Sequence, residues 1–275
     1  MSVVTAPLVT SEWTVRPIMS KLSAALFAED VKIYFQPKIC LFDNSIMNAE
    51  ALIRWNDEEL GYISPLEILD AAEQMDELDL LDNWVFEKVC QHMVEWKKET
   101  CSCKSISINL CEETISKPDF EFWASNIVNK YGVPPHFIDF EILESAILSD
   151  VDTTIEKISA CQAKGFTFSL DDFGTGYSSL ACLRKLPINN LKIDKSFIDN
   201  IEHDQQSRIM VGQIIDIGHG LGKTVIAEGV ENKAQYLIVK SFGCDVVQGY
   251  YFSKPLPEKE FFDLLMNRDD KSLKL

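Results

Sequence analysis

From Val31 onward the chain switches repeatedly between two hydrophobic periods. Eight short β-rich runs, Val31–Pro37, Ile46–Ile53, Ser105–Leu110, Phe137–Ile142, Phe166–Asp171, Leu191–Asp194, Thr224–Glu228 and Val246–Gln248, read as strands. Helical spacing separates them at Leu81–Lys97, Phe120–Tyr131, Val151–Lys164, Ser207–Leu221, Ala234–Phe242 and Glu258–Met266, and a short helix is expected at Ile18–Ala28. Gly165, Gly222 and Gly243 stand just past helix ends, where glycine takes the left-handed conformation at little cost. Residues 1–16 lack periodicity and read as an N-terminal tail, leaving 17–275 as one domain. Strands alternating with helices, and no linker between them, predict a single α/β domain, and eight strands favour a closed barrel. The link Lys38–Ser45 is too short for a helical crossover, so the first two strands should pair antiparallel.

Alternation along each strand assigns faces. Phe166, Phe168 and Leu170 share one face and Thr167, Ser169 and Asp171 the other; Ser105–Leu110 and Phe137–Ile142 divide in the same way. If the apolar faces meet the outer helices, the polar residue at each strand end points into the barrel mouth. This gathers Gln36, Glu50, Arg54, Asn109, Glu141, Asp171, Lys192, Asp194, Glu228 and Gln248, with Asp172 opening the next loop. An ordinary solvated strand end explains any one of them. Seven or more strands ending alike is harder to explain that way.

The formal charge of −17 argues against wrapping a nucleic-acid polymer, which needs clustered Lys and Arg, but a small anion remains open if cations neutralise the site. Eight cysteines without a Cys-x-x-Cys pair, Cys101 and Cys103 among them, read as reduced thiols, and four scattered His residues argue against histidine-based metal chemistry. No leader-like or membrane-spanning apolar run is present, so a soluble, cytoplasmic protein is expected.

Glu50, Glu141, Asp171, Asp172 and Glu228 would crowd one mouth with carboxylates, which raises their pKa values or demands cations. Oxygen ligands alone suit hard ions such as Mg2+ or Mn2+, and adjacent aspartates can serve two ions in an in-line phosphoryl displacement. Lys192 is the one cation expected in this ring. It could orient or deprotonate a water, or simply pair with Asp194 or Asp172. Gly174 and Gly176 should let the following loop turn and carry Asp172 inward, and Ser178-Ser179 should cap the next helix.

These residues fall in motifs that resemble the EAL-domain cyclic di-GMP phosphodiesterases. From about Leu22 to Phe262 the motifs appear in order: Tyr34-Phe35-Gln36-Pro37, Glu50-Ala51-Leu52-Ile53-Arg54-Trp55, Ile108-Asn109-Leu110, Glu141-Ile142-Leu143-Glu144-Ser145, Asp171-Asp172-Phe173-Gly174-Thr175-Gly176-Tyr177, Lys192-Ile193-Asp194, Glu228-Gly229-Val230-Glu231 and Gln248-Gly249-Tyr250. The resemblance implies a TIM-like (β/α)8 barrel with one antiparallel strand, and hydrolysis of cyclic di-GMP to linear pGpG with two metal ions. It implies Glu50, Asn109, Glu141 and Asp171 as ligands of one ion, Asp171 and Asp172 at the second, and Lys192 as holder of the attacking water. Glu228, Glu231 and Gln248 would complete the metal and water network. Gln36, Arg54, Asp194 and Gln248 are expected to face substrate, and Glu144 to anchor the Asp-Asp-Phe-Gly loop. A homodimer belongs to the same expectation, and an active enzyme whose main role is docking onto signalling proteins is a further alternative. Leu143, Cys111, Tyr251 and Lys254 depart from the usual Thr, Ser, Leu and Arg, and none removes a proposed ligand. A receptor that binds the nucleotide without cleaving it is the alternative from another class.

Overall fold

Period-two runs become strands and period-3.6 runs become helices in the computed structural model, which describes residues 12–98, 105–148, 150–175 and 180–266. Among them lie ten strands: β1 (Val31–Cys40), β2 (Ile46–Asp57), β3 (Gly61–Ile63), β4 (Ile106–Asn109), β5 (Ile138–Leu143), β6 (Thr167–Phe173), β7 (Asn190–Ile193), β8 (Thr224–Ala227), β9 (Val246–Val247) and β10 (Leu256–Pro257). Pairing runs β1-β2-β4-β5-β6-β7-β8-β9, and β9 returns to β1, so eight strands close a barrel. Each of the eight corresponds to one run read from the sequence. β1 is antiparallel to both its neighbours, as the short 38–45 link requires, and the other barrel pairs are parallel.

The antiparallel strand brings one correction. Gln36 was expected near a strand's C-terminal end, but β1 continues to Cys40 and runs against the others, so Gln36 reaches the mouth from mid-strand. Pro37 lies inside the strand, although proline cannot donate to a ladder and is normally confined to strand edges, ends or bulges. On one edge of β1, β10 pairs at Tyr34 and Phe35 and β9 at Ile39 and Cys40, so Pro37 falls in the break between them. A missing N–H is tolerated at such a break.

The apolar strand faces do meet the helices. Ile106, Ile108, Phe140, Phe168 and Leu170 share a core with Phe86, Val89, Phe120, Ala124 and Ile158. The helices Phe120–Tyr131, Val151–Lys164 and Glu258–Met266 form as read, while Leu78–Lys98, Gln205–Gly220 and Lys233–Ser241 shift by a few residues. The first helix is longer than expected, Glu12–Phe27, and enters the stretch read as a tail despite Pro17. Val15, Ile18 and Leu22 bury against Trp55, Ile63 and Ile68 in a second, smaller core, which offsets the proline's lost hydrogen bond.

That second core also holds a helix absent from the sequence reading, Pro65–Gln74. Its signal was present: Ser64 caps the helix, Pro65 takes its first turn, and Glu67 reaches back to the Ser64 N–H at 2.8 Å. Cys90, Cys161 and Cys244 are buried free thiols, each pushed up to about 12 by burial. Cys101, Cys103 and the Ser178-Ser179 cap lie outside the described residues. Among the described residues no helix is long and apolar enough to cross a membrane.

Candidate active site

The central feature is a β-bulge. Between β6 and β7 the pairs Ser169–Asn190 and Leu170–Leu191 are followed by Phe173–Ile193, so Asp171 and Asp172 together oppose the single residue Lys192. Asp172 takes a left-handed backbone, φ 52°. Strict alternation would send adjacent side chains to opposite faces, but the bulge turns both aspartates to the mouth. Asp172 was expected in the loop and carried by glycine hinges; it lies within β6, and the bulge places it. Carboxylate oxygens of Asp171, Asp172 and Glu228 lie within 4.8 Å of one another.

Lys192 stands beneath them, 1% exposed. Its Nζ is 2.9 Å from Asp171, 2.7 Å from Glu228, and bonded to Glu141 Oε2. Those are its ion-pair partners, in place of the Asp194 or Asp172 considered from sequence. Nor is Lys192 the one cation here. Lys38, fully buried, bonds the other oxygen of Glu141 and the Ser107 hydroxyl at 2.8 Å. It went unseen because the strand was ended at Pro37; carrying the alternation two residues past Gln36 finds it.

Around the mouth, Glu50 accepts from the Asn109 amide and from the Gln248 amide, both at 2.7 Å. Gln248 also donates to Gln36 at 3.1 Å. Gly249 is forced to be glycine, since a Cβ there would sit 2.1 Å from the Val230 carbonyl oxygen, and that close approach sets Gln248 inward. Gln36, Glu50, Arg54, Glu228 and Gln248 line one open cleft, with Tyr250 and Lys195 at its rim. Glu231 lies at this rim too, but it pairs with Lys195 at 2.8 Å and stays outside the carboxylate cluster, four residues beyond its strand end. Asp194 caps the helix Lys195–Asp199 through the Ser196 N–H and neighbours Asp172. Glu144, 3% exposed, accepts from the Gly174 N–H at 3.1 Å and so ties down the segment after the bulge.

The EAL domain family model matches residues 19–255. The chain belongs to the EAL-domain family. Oxygen sensor protein DosP of Escherichia coli is 32% identical over 87% of this chain, and cyclic di-GMP phosphodiesterase NbdA of Pseudomonas aeruginosa is 32% identical over 86%. The chain spans 30% of the length of each of these relatives. The structure of PaMucR phosphodiesterase in complex with c-di-GMP superposes with a TM-score of 0.85 at 30% identity, covering 89% of this chain and 99% of that one.

The mouth of this EAL domain is electrostatically unbalanced. Burial pushes Asp172 up to about 6, with the Asp171 charge adding to the effect, and burial holds Glu50 and Glu228 above the usual carboxylate range. Burial acts the same way on Glu141, yet Lys192 and Lys38 outweigh it and hold that carboxyl low. Glu50, Glu141, Asp171, Asp172 and Glu228 gather around Lys192, with Lys38 on the far side of Glu141, so carboxylates outnumber the ammonium groups among them. Cations would offset that excess, and an all-oxygen donor set fits hard ions.

Proposed function

We propose that this EAL domain hydrolyses cyclic di-GMP to linear pGpG with two bound divalent ions, Mg2+ or Mn2+. The observation that carries the reading is the Asp171–Asp172–Glu228 cluster built over Lys192 on a bulged strand, open to the cleft of Gln36, Arg54 and Gln248. Glu50, Asn109, Glu141 and Asp171 are suited to hold one ion, and Asp171, Asp172 and Glu228 the other. Bound there, the ions would supply positive charge against the phosphate oxygens and acidify water. Arg54 offers a planar donor pair for a phosphate oxygen, and Gln36 and Gln248 offer amides to the nucleotide. Lys192, ringed by Glu141, Asp171 and Glu228, keeps its proton and so orients the attacking water by donating to its oxygen. Water's oxygen bonds to phosphorus and gives up a proton, the bond to the 3′ oxygen breaks, and that oxygen takes up a proton, leaving a 5′ phosphate. Glu144 holds Gly174, and with it the bulge, in place.

Purified protein incubated with cyclic di-GMP and either metal should release pGpG, read by chromatography. Glu50→Gln and Lys192→Ala should each lower turnover at least 100-fold. No product with either metal would end the enzymatic reading, and tight binding without cleavage at saturating metal would replace it with a nucleotide receptor. A cytoplasmic homodimer, joined near the 171–175 segment, completes the proposal; sedimentation showing a fully active monomer would remove the dimer from it.

A further inference from the structure

Lys38 has no part in the chemistry above, yet it is a wholly buried ammonium group. Beneath it, the hydroxyls of Ser107 and Ser169 both donate to Asp139 Oδ2, at 2.8 and 2.6 Å, and the Asn190 amide donates to Ser169 at 2.9 Å. Charge therefore alternates in sign down the barrel: Asp171 and Glu228, then Lys192, Glu141, Lys38 and Asp139. Taking an ammonium out of water costs several kcal/mol unless it is well paired, and apolar side chains of similar volume often replace buried ion pairs without loss. For packing alone, Met would serve at this position. Lys38 instead shares one carboxylate with Lys192, each lysine holding a different oxygen.

We propose that Lys38 is a positioning residue for the hydrolysis. It pins one oxygen of Glu141 on the barrel axis, which frees Lys192 to turn from the other oxygen to the attacking water. This role rests on the phosphodiesterase reading above. Without Lys38, Glu141 retains Lys192 as its one ammonium partner, and attraction in a low-dielectric interior holds the two together more firmly. The defect then falls on the chemical step, because the hydrogen-bond partners of Lys38 are Ser107 and Glu141, and neither lines the nucleotide-facing cleft.

The test is Lys38→Met in the full chain, beside the wild type. Folding is read by circular dichroism, binding of Mn2+ alone by calorimetry, and kcat and KM with cyclic di-GMP. Expected are a folded protein, Mn2+ affinity within threefold, KM within twofold, and kcat at least tenfold lower. Lys38→Arg, which keeps the charge, should recover most of that kcat. The role is overturned by a kcat within twofold of wild type, by a loss residing in KM or in Mn2+ affinity, or by an Arg variant no better than Met. Should Lys38→Met not fold, Lys38→Gln takes its place under the same criteria, and failure of both to fold overturns the role as well. An inactive wild type is a separate result, and it sinks the phosphodiesterase reading together with the role built on it.

Discussion

Asp82 links the outer helices to the site through a single side chain. It is 5% exposed on the helix Leu78–Lys98 and accepts from the Cys111 N–H at 3.0 Å, tying that helix to the turn after Asn109. Burial pushes it up to about 6, against the Cys111 N–H hydrogen bond that pulls it down. An acid whose folded pKa lies above its unfolded value binds more protons when folded, so its contribution to stability falls as pH rises from about 4 to about 6 and is level above that. A shift of about two units corresponds to roughly 3 kcal/mol. Asp82→Asn should therefore gain on the wild type by about 2–3 kcal/mol between pH 4 and pH 7, as read by urea denaturation at both pH values. A wild-type-minus-variant difference that stays constant with pH would show that Asp82 ionises as freely as in water. At this scale much of the site was legible. Alternation alone gathers Glu50, Asn109, Glu141, Asp171 and Lys192, because a one-residue slip would turn every one of them to the wrong face. Lys38 was not, since proline is a local signal and the break in pairing that tolerates it is made by distant strands.

For single elements, boundaries followed periodicity where one face is buried and failed where tertiary contacts override local preference. The helix through Pro17 and the bulge in β6 are both of that kind. No sequence rule marks a bulge at two aspartates; the register shift exists only relative to β7. Its upkeep falls to the segment that follows. Gly174 adopts φ +100°, and a Cβ there would sit 2.9 Å from the Phe197 ring. Gly174→Ala should cost about 1–2 kcal/mol of stability through backbone strain. It should also lower kcat more than tenfold, because small displacements of reacting groups are amplified in rate. Gly132→Ala is the control, also left-handed at φ +66° but with nothing within 4 Å, and far from the mouth. It should lose about 1 kcal/mol of stability and keep its kcat. Equal losses of kcat in the two variants would show that activity tracks stability and not the placement of Asp172.

Closure of the barrel depends on a short strand, β9, which pairs with β8 at two positions, Val246 and Val247. Strand number and the short first link predicted a ring with one reversed strand, but not how the ring would be sealed. β9 meets β1 at only two residue pairs, Ile39–Val247 and Cys40–Val246. Past that ladder the seam is bridged by side chains: Gln248 donates to Gln36 and Glu50, and Gln36 donates to the Ser253 carbonyl at 3.1 Å. The helix Glu258–Met266 lies over it, with Phe261 fully buried and stacked on Phe35 at 5.3 Å. The same helix is held to Leu78–Lys98 by the Trp96 indole, which donates to Glu258 at 2.6 Å. One terminal helix thus latches the strand pair whose side chains support Glu50. Phe261→Ala should cost about 4 kcal/mol, as large-to-small changes in cores do. Because local opening follows the least-bonded region, the loss should not be uniform. Hydrogen exchange should accelerate first at the amides of Ile39 and Val247, while those of Phe140 and Phe168, paired in the parallel half of the barrel, remain protected. Equal acceleration in both halves would mean that the barrel opens as one unit and that the C-terminal helix is ordinary core, not a latch.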